Sequence, residues 1–281
     1  MPTLTLFDKA EKFRKLHLRP NAFVIPNPWD IGSLRILEAS GFEAIATTSA
    51  GFAFTIGRQD GAGLISRSET IAHAQTLAEA TELPVSADLE NGFGDEPEAV
   101  ATTILLAAEA GLVGGSIEDA TGRQGDPIYD FGAAVERIAA ASEAARSLPF
   151  PFTLTARCEN FLFARPDLED TIRRLKAYEE AGADVLYAPG LPDLESIRSV
   201  CEELGKPVNV VMGIGPTANL SVDDLAEAGV KRISLGSALA RAAVGAFLQA
   251  VTEIKDHGRF TFTKKAASFR EIAPYLTGPK P

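Results

Sequence analysis

The segment AGADVLYAP, residues 181–189, decides how this chain is read. It joins the end of an amphipathic segment, a glycine and a short apolar run. Weaker copies occur as SGFEAIATT (40–48), AGLVGGSIED (110–119) and AGVKRISLG (228–236). Each copy reads as a helix that ends at glycine and passes straight into a buried strand. The recurring unit is a βα repeat.

Working outward, eight apolar runs can be marked: AFVIP (22–26), EAIATTS (43–49), LPVSADLE (83–90), GGSIEDA (114–120), FTLTARCE (152–159), DVLYAPG (184–190), PVNVVMG (207–213) and RISLGS (232–237). Several are rich in Val, Ile and Thr, as buried strands are. Between them, AVERIAAASEAARSL (134–148) and DTIRRLKAYEEAGA (170–183) repeat apolar residues at helical spacing, and SVDDLAEAGV (221–230) opens on an N-cap serine, Ser221, and closes on Gly229. Parallel strands need such crossovers, and eight of them predict a closed (β/α)8 TIM barrel in a single domain. The competing open doubly wound sheet would carry a glycine-rich fingerprint after its first strand; PNPWDIGS (26–33) has none. The barrel is expected to span 1–257, with 258–281 as a C-terminal helical tail on the barrel or on a neighbouring subunit.

Composition narrows the function. The chain has 281 residues, 46% hydrophobic and 23% charged, with a formal net charge of -11. That balance argues against nucleic acid and anionic membrane as partners, while leaving local basic groups free to bind a small anion. Two cysteines, Cys158 and Cys201, make no disulfide framework and fit a reducing cytoplasm. The N-terminal stretch MPTLTLFDKAEKFRKLH reads as neither signal peptide nor membrane span.

In a barrel the chemistry sits at the C-terminal ends of the strands. Those ends carry Thr48, Ser49, Ala50 and Gly51 on the second run, Asp88 and Glu90 on the third, Glu118 and Asp119 on the fourth, Arg157 and Glu159 on the fifth, and Asn209 on the seventh; Asp60 lies in the loop after the second. Residues two apart on a strand share a face, so Asp88 and Glu90 converge, with Glu118 beside them. Oxygen-only donors suit a hard cation such as magnesium, and His17, His73 and His257 are too scattered for a zinc set. Arg157 offers a fork for a substrate carboxylate, and Ser49 with the amides of Ala50 and Gly51 could hold its other end. Blander readings stand beside these. An acid pair at a strand end is often a solvated rim, Arg157 with Glu159 can be a structural ion pair, Asp119 points away from Glu118 and caps the next loop, His73 packs mid-helix, and Cys158 packs under a helix. GIGP (213–216) and LGSALAR (235–241) raise a phosphate-binding barrel as a further alternative.

These residues resemble the isocitrate lyase/phosphoenolpyruvate mutase superfamily over nearly the whole barrel. The family pattern D-x-[DE]-x-G-[FY]-G appears as DLENGFG (88–94), its glutamate in SIEDA as Glu118, its arginine in TARCENF as Arg157, its serine-glycine turn as SAG (49–51), and its loop aspartate in GRQDG as Asp60. The resemblance implies a magnesium site, with manganese as a substitute, near Asp60, Asp88, Glu90 and Glu118. It implies a small anionic substrate, a 2-oxo acid or its enolate, gripped by Arg157 and the Ser49 turn with Asn209 as helper. A homo-oligomer, tetramer or dimer, is implied too, with GRFTFTKKAASFREIAPYL (258–276) as the segment that can be exchanged between subunits.

One departure stands out. The loop after the fourth strand, which carries K-K-C-G-H in the carbon–carbon lyases and a lysine in the phosphonate enzymes, reads ATGRQGDPIYD (120–130). Arg123 is the candidate for the lost positive charge and Tyr129 for a proton donor; the glycines and Pro127 suit a hinged lid. The expectation is a magnesium-dependent lyase that cleaves a C–C bond, or decarboxylates, next to the oxo group of a small 2-oxo or 2-hydroxy acid. Its alternatives are P–C chemistry on a phosphonopyruvate-like compound and a non-catalytic 2-oxo acid binder.

Overall fold

The computed structural model describes residues 4–61, 63–213 and 216–276. GIGP therefore lies partly outside the described residues. In chain order the elements are α1 (Leu6–Leu18), β1 (Phe23–Ile25), α2 (Ile31–Ala39), β2 (Ile45–Ala46), α3 (Ser49–Thr55), α4 (Arg67–Glu79), β3 (Val85–Asp88), α5 (Pro97–Glu109), β4 (Gly114–Glu118), β5 (Ala120–Arg123) and β6 (Asp126–Ile128). They continue with α6 (Phe131–Arg146), β7 (Thr153–Arg157), α7 (Leu168–Glu180), β8 (Val185–Tyr187), α8 (Leu194–Glu203), β9 (Val208–Val211), α9 (Val222–Glu227), β10 (Arg232–Ser234), α10 (Ala238–His257) and α11 (Phe269–Leu276).

Eight strands form one parallel sheet in the order β1-β10-β9-β8-β7-β4-β3-β2. The two end strands meet where the Ala46 amide donates to the Pro26 carbonyl at 3.1 Å, so the sheet curls into a nearly closed (β/α)8 barrel. Each predicted run holds one barrel strand. The repeat glycine has a physical reason. At Gly182, φ is +102° and a Cβ would lie 2.2 Å from Ser142 Oγ. The next amide, Ala183, donates back to Tyr178 O at 3.0 Å, which closes α7 in a Schellman turn and aims the chain into β8. Leu112 to Ala107 and Val230 to Leu225 repeat that bond at 3.1 and 3.0 Å, after Gly111 and Gly229. Ser221 caps α9 as the spacing predicts, accepting from the Asp224 amide at 3.1 Å.

The main apolar core lies between sheet and helices. It contains Ala87, Leu89, Ile117, Leu154, Ala156, Cys158, Leu186 and Val210 from the outward faces of the strands. A second, smaller core plugs the barrel bottom with Phe13 and Leu16 of α1 against Phe23, Ile25, Ala44 and Val113. Alternation therefore turns the other face of each strand into the barrel. That face is polar: Ser86 and Asp88, Ser116 and Glu118, Thr155 and Arg157, Tyr187, Asn209, Arg232 and Ser234.

The ladder register sets Glu118 opposite Arg157, Arg157 opposite Tyr187, Tyr187 opposite Asn209, and Asn209 opposite Arg232. Barrel strands are staggered. The same row therefore descends from the C-terminal end of β7, where Arg157 sits, to the start of β10, where Arg232 sits.

The tail turns back: α11 packs against α2 of the same chain. On α10, Phe247 and Leu248 are 67% and 57% exposed. No helix among the described residues is long and apolar enough to cross a membrane.

Candidate active site

Arg157, the last residue of β7, is the hub of the barrel mouth. Its Nη1 donates to Asp88 Oδ1 at 3.0 Å, its Nη2 lies 3.0 Å from Glu118 Oε2, and its Nε donates to Glu159 Oε1 at 2.9 Å. Its guanidinium also lies over the Tyr187 ring, 5.1 Å from the centroid. The fork assigned to a substrate carboxylate thus holds three carboxylates of the chain itself. Glu159, set aside as a structural partner, is indeed buried against it.

The remaining acids close in from β3 and its loop. Asp88 also accepts from the Ser49 amide at 3.3 Å, and its own amide donates to Thr47 Oγ1 at 2.9 Å. Glu90 follows Asp88 with φ of +48°, and its carbonyl accepts from the Glu118 amide at 2.9 Å, which ties this loop to β4. Asp60 sits on an exposed turn but directs its carboxyl inward to the Ser49 hydroxyl. Ser49, Ala50 and Gly51 form not a free turn but the first turn of α3, with Thr48 Oγ1 accepting from the Gly51 amide at 3.3 Å.

Electrostatics show what the cluster lacks. Burial, then the charges of Asp88 and Asp60, push the Glu90 carboxyl up to about 7. Burial raises Glu118 well above the usual carboxylate range, and the Arg157 charge only partly offsets this. Burial also raises Asp60, with Asp88 adding to the effect, and it raises Glu159. Burial alone would lower Arg157; Glu159, Glu118 and Asp88 outweigh it and hold the guanidinium firmly charged. Five carboxylates, at 60, 88, 90, 118 and 159, thus gather around one guanidinium in contact with three of them. A crowd of like charges of this kind is relieved by protons or by a cation.

The fit to a divalent cation has two sides. The donors are all oxygens, as a hard ion prefers, and among the described residues Glu90 has no guanidinium or ammonium within ion-pair distance. Among the described residues, however, no three His, Cys, Asp or Glu side chains already converge as a ligand cage. Magnesium needs no such cage, since it keeps several waters and takes one or two carboxylates. The residues fit that mode of binding.

The acids lie between two spaces. Outside is a cleft of about 1170 Å³ lined in part by Arg67, Glu90, Glu118, Arg123, Pro127 and Phe163. Beneath is a cavity of about 60 Å³ lined in part by Asp88, Arg157, Tyr187, Asn209, Arg232 and Ser234. Asn209 is committed: its Nδ2 donates to Ser234 Oγ at 3.0 Å and its Oδ1 accepts from Arg232 Nε at 2.8 Å. Its place is to line the cavity and hold Arg232. That buried guanidinium also donates to Thr155 Oγ1 at 3.0 Å. It meets no carboxylate within ion-pair distance among the described residues, and burial pushes its pKa down to about 10.

The lid segment forms an antiparallel hairpin, β5–β6. Its neck is fixed where the Tyr129 amide donates to the Asp119 carbonyl at 2.9 Å. The Asp119 carboxylate points away from Glu118, as expected, and accepts from Tyr178 Oη at 2.6 Å and the Glu159 amide at 2.8 Å. The hairpin is tied to the acid loop near its tip by Arg123 and at its root by Tyr129. Arg123 Nη1 reaches both oxygens of Asp95 at 2.8 and 2.9 Å, and Tyr129 Oη donates to Asp95 Oδ1 at 2.6 Å. Burial, reinforced by that bond, pushes the Tyr129 phenol up to about 12, so it keeps its proton near neutral pH. Arg123 faces Asp95 and Asp126 at the rim of the cleft rather than Arg157. His73 packs, stacked on Phe52 with ring centroids 4.1 Å apart.

Asp95, Arg137, Arg67 and Arg232 take part as well, although none lies at the C-terminal end of a barrel strand. Arg137 left a signal: it falls on the buried stripe of α6 with Ala134, Ile138 and Ala141, where a charge has no solvent to meet.

The family model described as phosphoenolpyruvate phosphomutase matches residues 13–255. The chain belongs to that family. A crystal structure of a candidate lyase/mutase from Burkholderia cenocepacia J2315 is 60% identical, with a TM-score of 0.94 over 98% of both chains. A 2-methylisocitrate lyase of Bacillus subtilis strain 168 is 29% identical over 89% of this chain and 82% of its own length. An oxaloacetate decarboxylase of Pseudomonas entomophila strain L48 is 28% identical over 88% and 84% respectively. The phosphoenolpyruvate mutase barrel and its lyase/mutase relatives are therefore the setting in which the acid cluster is to be understood.

Proposed function

We propose that this family member is a divalent-metal-dependent lyase. It would break a C–C bond, by decarboxylation or by carbon–carbon cleavage, beside the oxo group of a small 2-oxo or 2-hydroxy carboxylic acid. The observation that carries the reading is the excess of carboxylates gathered at the barrel mouth over the single guanidinium, Arg157, which contacts three of them. Asp88, Glu90, Glu118 and Asp60 would hold the ion, Mg2+ or Mn2+, in part through its waters. When bound, the ion supplies positive charge beside the substrate oxygens where an enolate develops.

The chain's own groups do the rest. Arg157, held firmly charged, faces the same anion and offsets the negative charge that grows during bond breaking. Ser49 and the first turn of α3 orient the substrate from the β2 side. Arg232 keeps uncompensated positive charge beneath, with Asn209 fixing its direction. The hairpin covers the cleft and excludes water. Decarboxylation suits a lid without cysteine, lysine or histidine, because CO2 leaves without taking a proton. The enolate left behind can accept its proton from water on opening, or from Tyr129. The name of the oxaloacetate decarboxylase relative supports this branch, and that of the 2-methylisocitrate lyase supports carbon–carbon cleavage.

The family model's own description favours a second reading, P–C bond chemistry on a phosphonopyruvate-like compound. Incubation with Mg2+ and a panel of oxaloacetate, 2-hydroxy diacids and phosphonopyruvate separates the two: CO2 or an oxo product marks the first, phosphoenolpyruvate or phosphate formed from phosphonopyruvate the second. Binding of oxalate with a silent panel would support a non-catalytic binder instead. We further propose a homo-oligomer working in the cytoplasm, supported by the exposed apolar residues of α10 and by the low cysteine count.

A further inference from the structure

The loop between β3 and α5 follows a course that side chains resist. Glu90, Gly92 and Phe93 have φ of +48°, +81° and +60°, so three residues in four are left-handed and two of them carry a Cβ. Such backbone persists only where its surroundings impose it.

Two arginines impose it. Arg137, from α6, donates through Nη1 to the carbonyls of Gly94 and Asp95 and through Nη2 to that of Asn91. Arg67, from the first turn of α4, reaches the carbonyls of Gly92 at 3.4 Å and Phe93 at 3.2 Å through Nη2. Five consecutive carbonyls, 91 to 95, therefore accept from guanidinium groups, directly behind Glu90.

Arg137 is 1% exposed, and among the described residues it has no carboxylate within ion-pair distance. A buried cation whose hydrogen bonds go to neutral carbonyls, with Asp95 and Glu96 acting on it only from beyond ion-pair distance, is a costly way to fill a helix stripe that otherwise holds Ala134, Ile138 and Ala141. An apolar side chain would pack there at less cost. What the planar fork does, and an apolar residue cannot, is fix several carbonyls of one loop at once. Its flat face is also held, 4.1 Å from the Tyr129 ring centroid, beneath the root of the hairpin.

We propose that Arg137 and Arg67 are positioning residues: a two-arginine clamp on the main chain of residues 91–95 that holds Glu90 in its left-handed course and so sets the affinity of the barrel-mouth acids for a divalent cation. The inference rests on reading those acids as a divalent-cation site. Neither arginine is assigned contact with substrate or metal.

The test is titration of Mn2+ alone into the full chain by calorimetry and by electron paramagnetic resonance, with folding checked by circular dichroism. The expected result is that the unaltered chain binds Mn2+ and Asp88→Asn abolishes this. Arg137→Lys, which keeps the charge but loses the fork, should weaken Mn2+ binding tenfold or more while remaining folded at the titration temperature. Arg67→Gln, at a half-buried position, should weaken it several-fold and serves where Arg137→Lys does not fold. A merely structural arginine would lower the melting temperature and leave the Mn2+ affinity of the folded protein unchanged. If Asp88→Asn abolishes binding but both arginine variants bind like the unaltered chain, the clamp is refuted and the cation site stands. If the unaltered chain takes up no Mn2+, or Asp88→Asn binds as well, the cation site itself is refuted, and the clamp with it.

Discussion

Arg157 and Glu118 stand opposite each other in the β4–β7 ladder and meet again through their side chains, Nη2 to Oε2 at 3.0 Å. Strand register thus delivers a guanidinium into the middle of an acid cluster, and removing it exposes what the acids otherwise need. Arg157→Met leaves Asp88, Glu118 and Glu159 without their shared partner. Stripping one member from a buried ion pair costs about 3–5 kcal/mol. The expected outcome in urea unfolding is a loss of that order without divalent ions, and a partial recovery on adding Mg2+. A variant whose stability ignores Mg2+ would argue against a cation at these acids.

His17 makes a pH prediction away from the acids. It is buried between Phe13 and Phe23, with Nδ1–H donating to Phe13 O at 2.9 Å and Arg232 Nη1 3.5 Å from Nε2. Burial, then the Arg232 charge, lowers its pKa from 6.5 to about 3. The folded chain therefore keeps His17 neutral while the unfolded chain binds a proton below pH 6.5. The stability tied to this site is fully present above pH 6.5 and is lost as pH falls toward 3, at about 1.4 kcal/mol per pH unit. His17→Leu should flatten the stability–pH curve between pH 6 and 4 relative to the unaltered chain. Parallel curves for the two proteins would refute the assignment.

The hairpin latch is mostly exposed and should matter locally. Asp95→Asn removes the nearer of the two ionic partners of Arg123, leaving Asp126, and weakens the acceptor for Tyr129 Oη. Exposed pairs contribute about 1 kcal/mol or less, so global stability should barely move. Hydrogen exchange of amides in β5 and β6 should quicken by about fivefold, the equivalent of about 1 kcal/mol of local opening. Unchanged exchange there would mean that the Asp119 neck alone holds the hairpin.

The α10 face bears on assembly. Phe247, Leu248, Val251 and Ile254 are each at least 40% exposed on one helix. Light scattering should give a mass at a multiple of 29.8 kDa, and Phe247→Asp should reduce it. A monomer for both proteins would contradict the oligomer.

How much of this could be read from residues alone varies with distance along the chain. The eight runs were legible because each barrel strand is local: an apolar stretch, preceded in the repeats by a Schellman glycine whose reason is also local. Asp88, Glu90, Glu118 and Arg157 were legible because alternation places them on the inner face at strand ends. The SAG stretch looked like a turn but forms the start of α3, since Thr48 caps it through the Gly51 amide. The hairpin escaped because TGRQGDP has no clear period of two; Asp119 closes its neck locally, while Asp95 holds Arg123 and Arg137 lies over Tyr129 from other parts of the chain. The arginine clamp escaped for the same reason. The partners of Arg137 are main-chain carbonyls more than forty residues away, to which side-chain patterns are blind, although its place on the apolar stripe of α6 was visible.

If these acids share a divalent cation with a small bound dianion facing Arg157, the pair should be visible together. The most direct test is a crystal structure of the chain with Mn2+ and oxalate, phased on the manganese anomalous signal. The expected result is an anomalous peak at the barrel mouth within coordination or one-water reach of Asp88, Glu90 and Glu118, with oxalate between it and the guanidinium. No peak there, with Asp88 and Glu118 still held by Arg157 and oxalate elsewhere or absent, would contradict it.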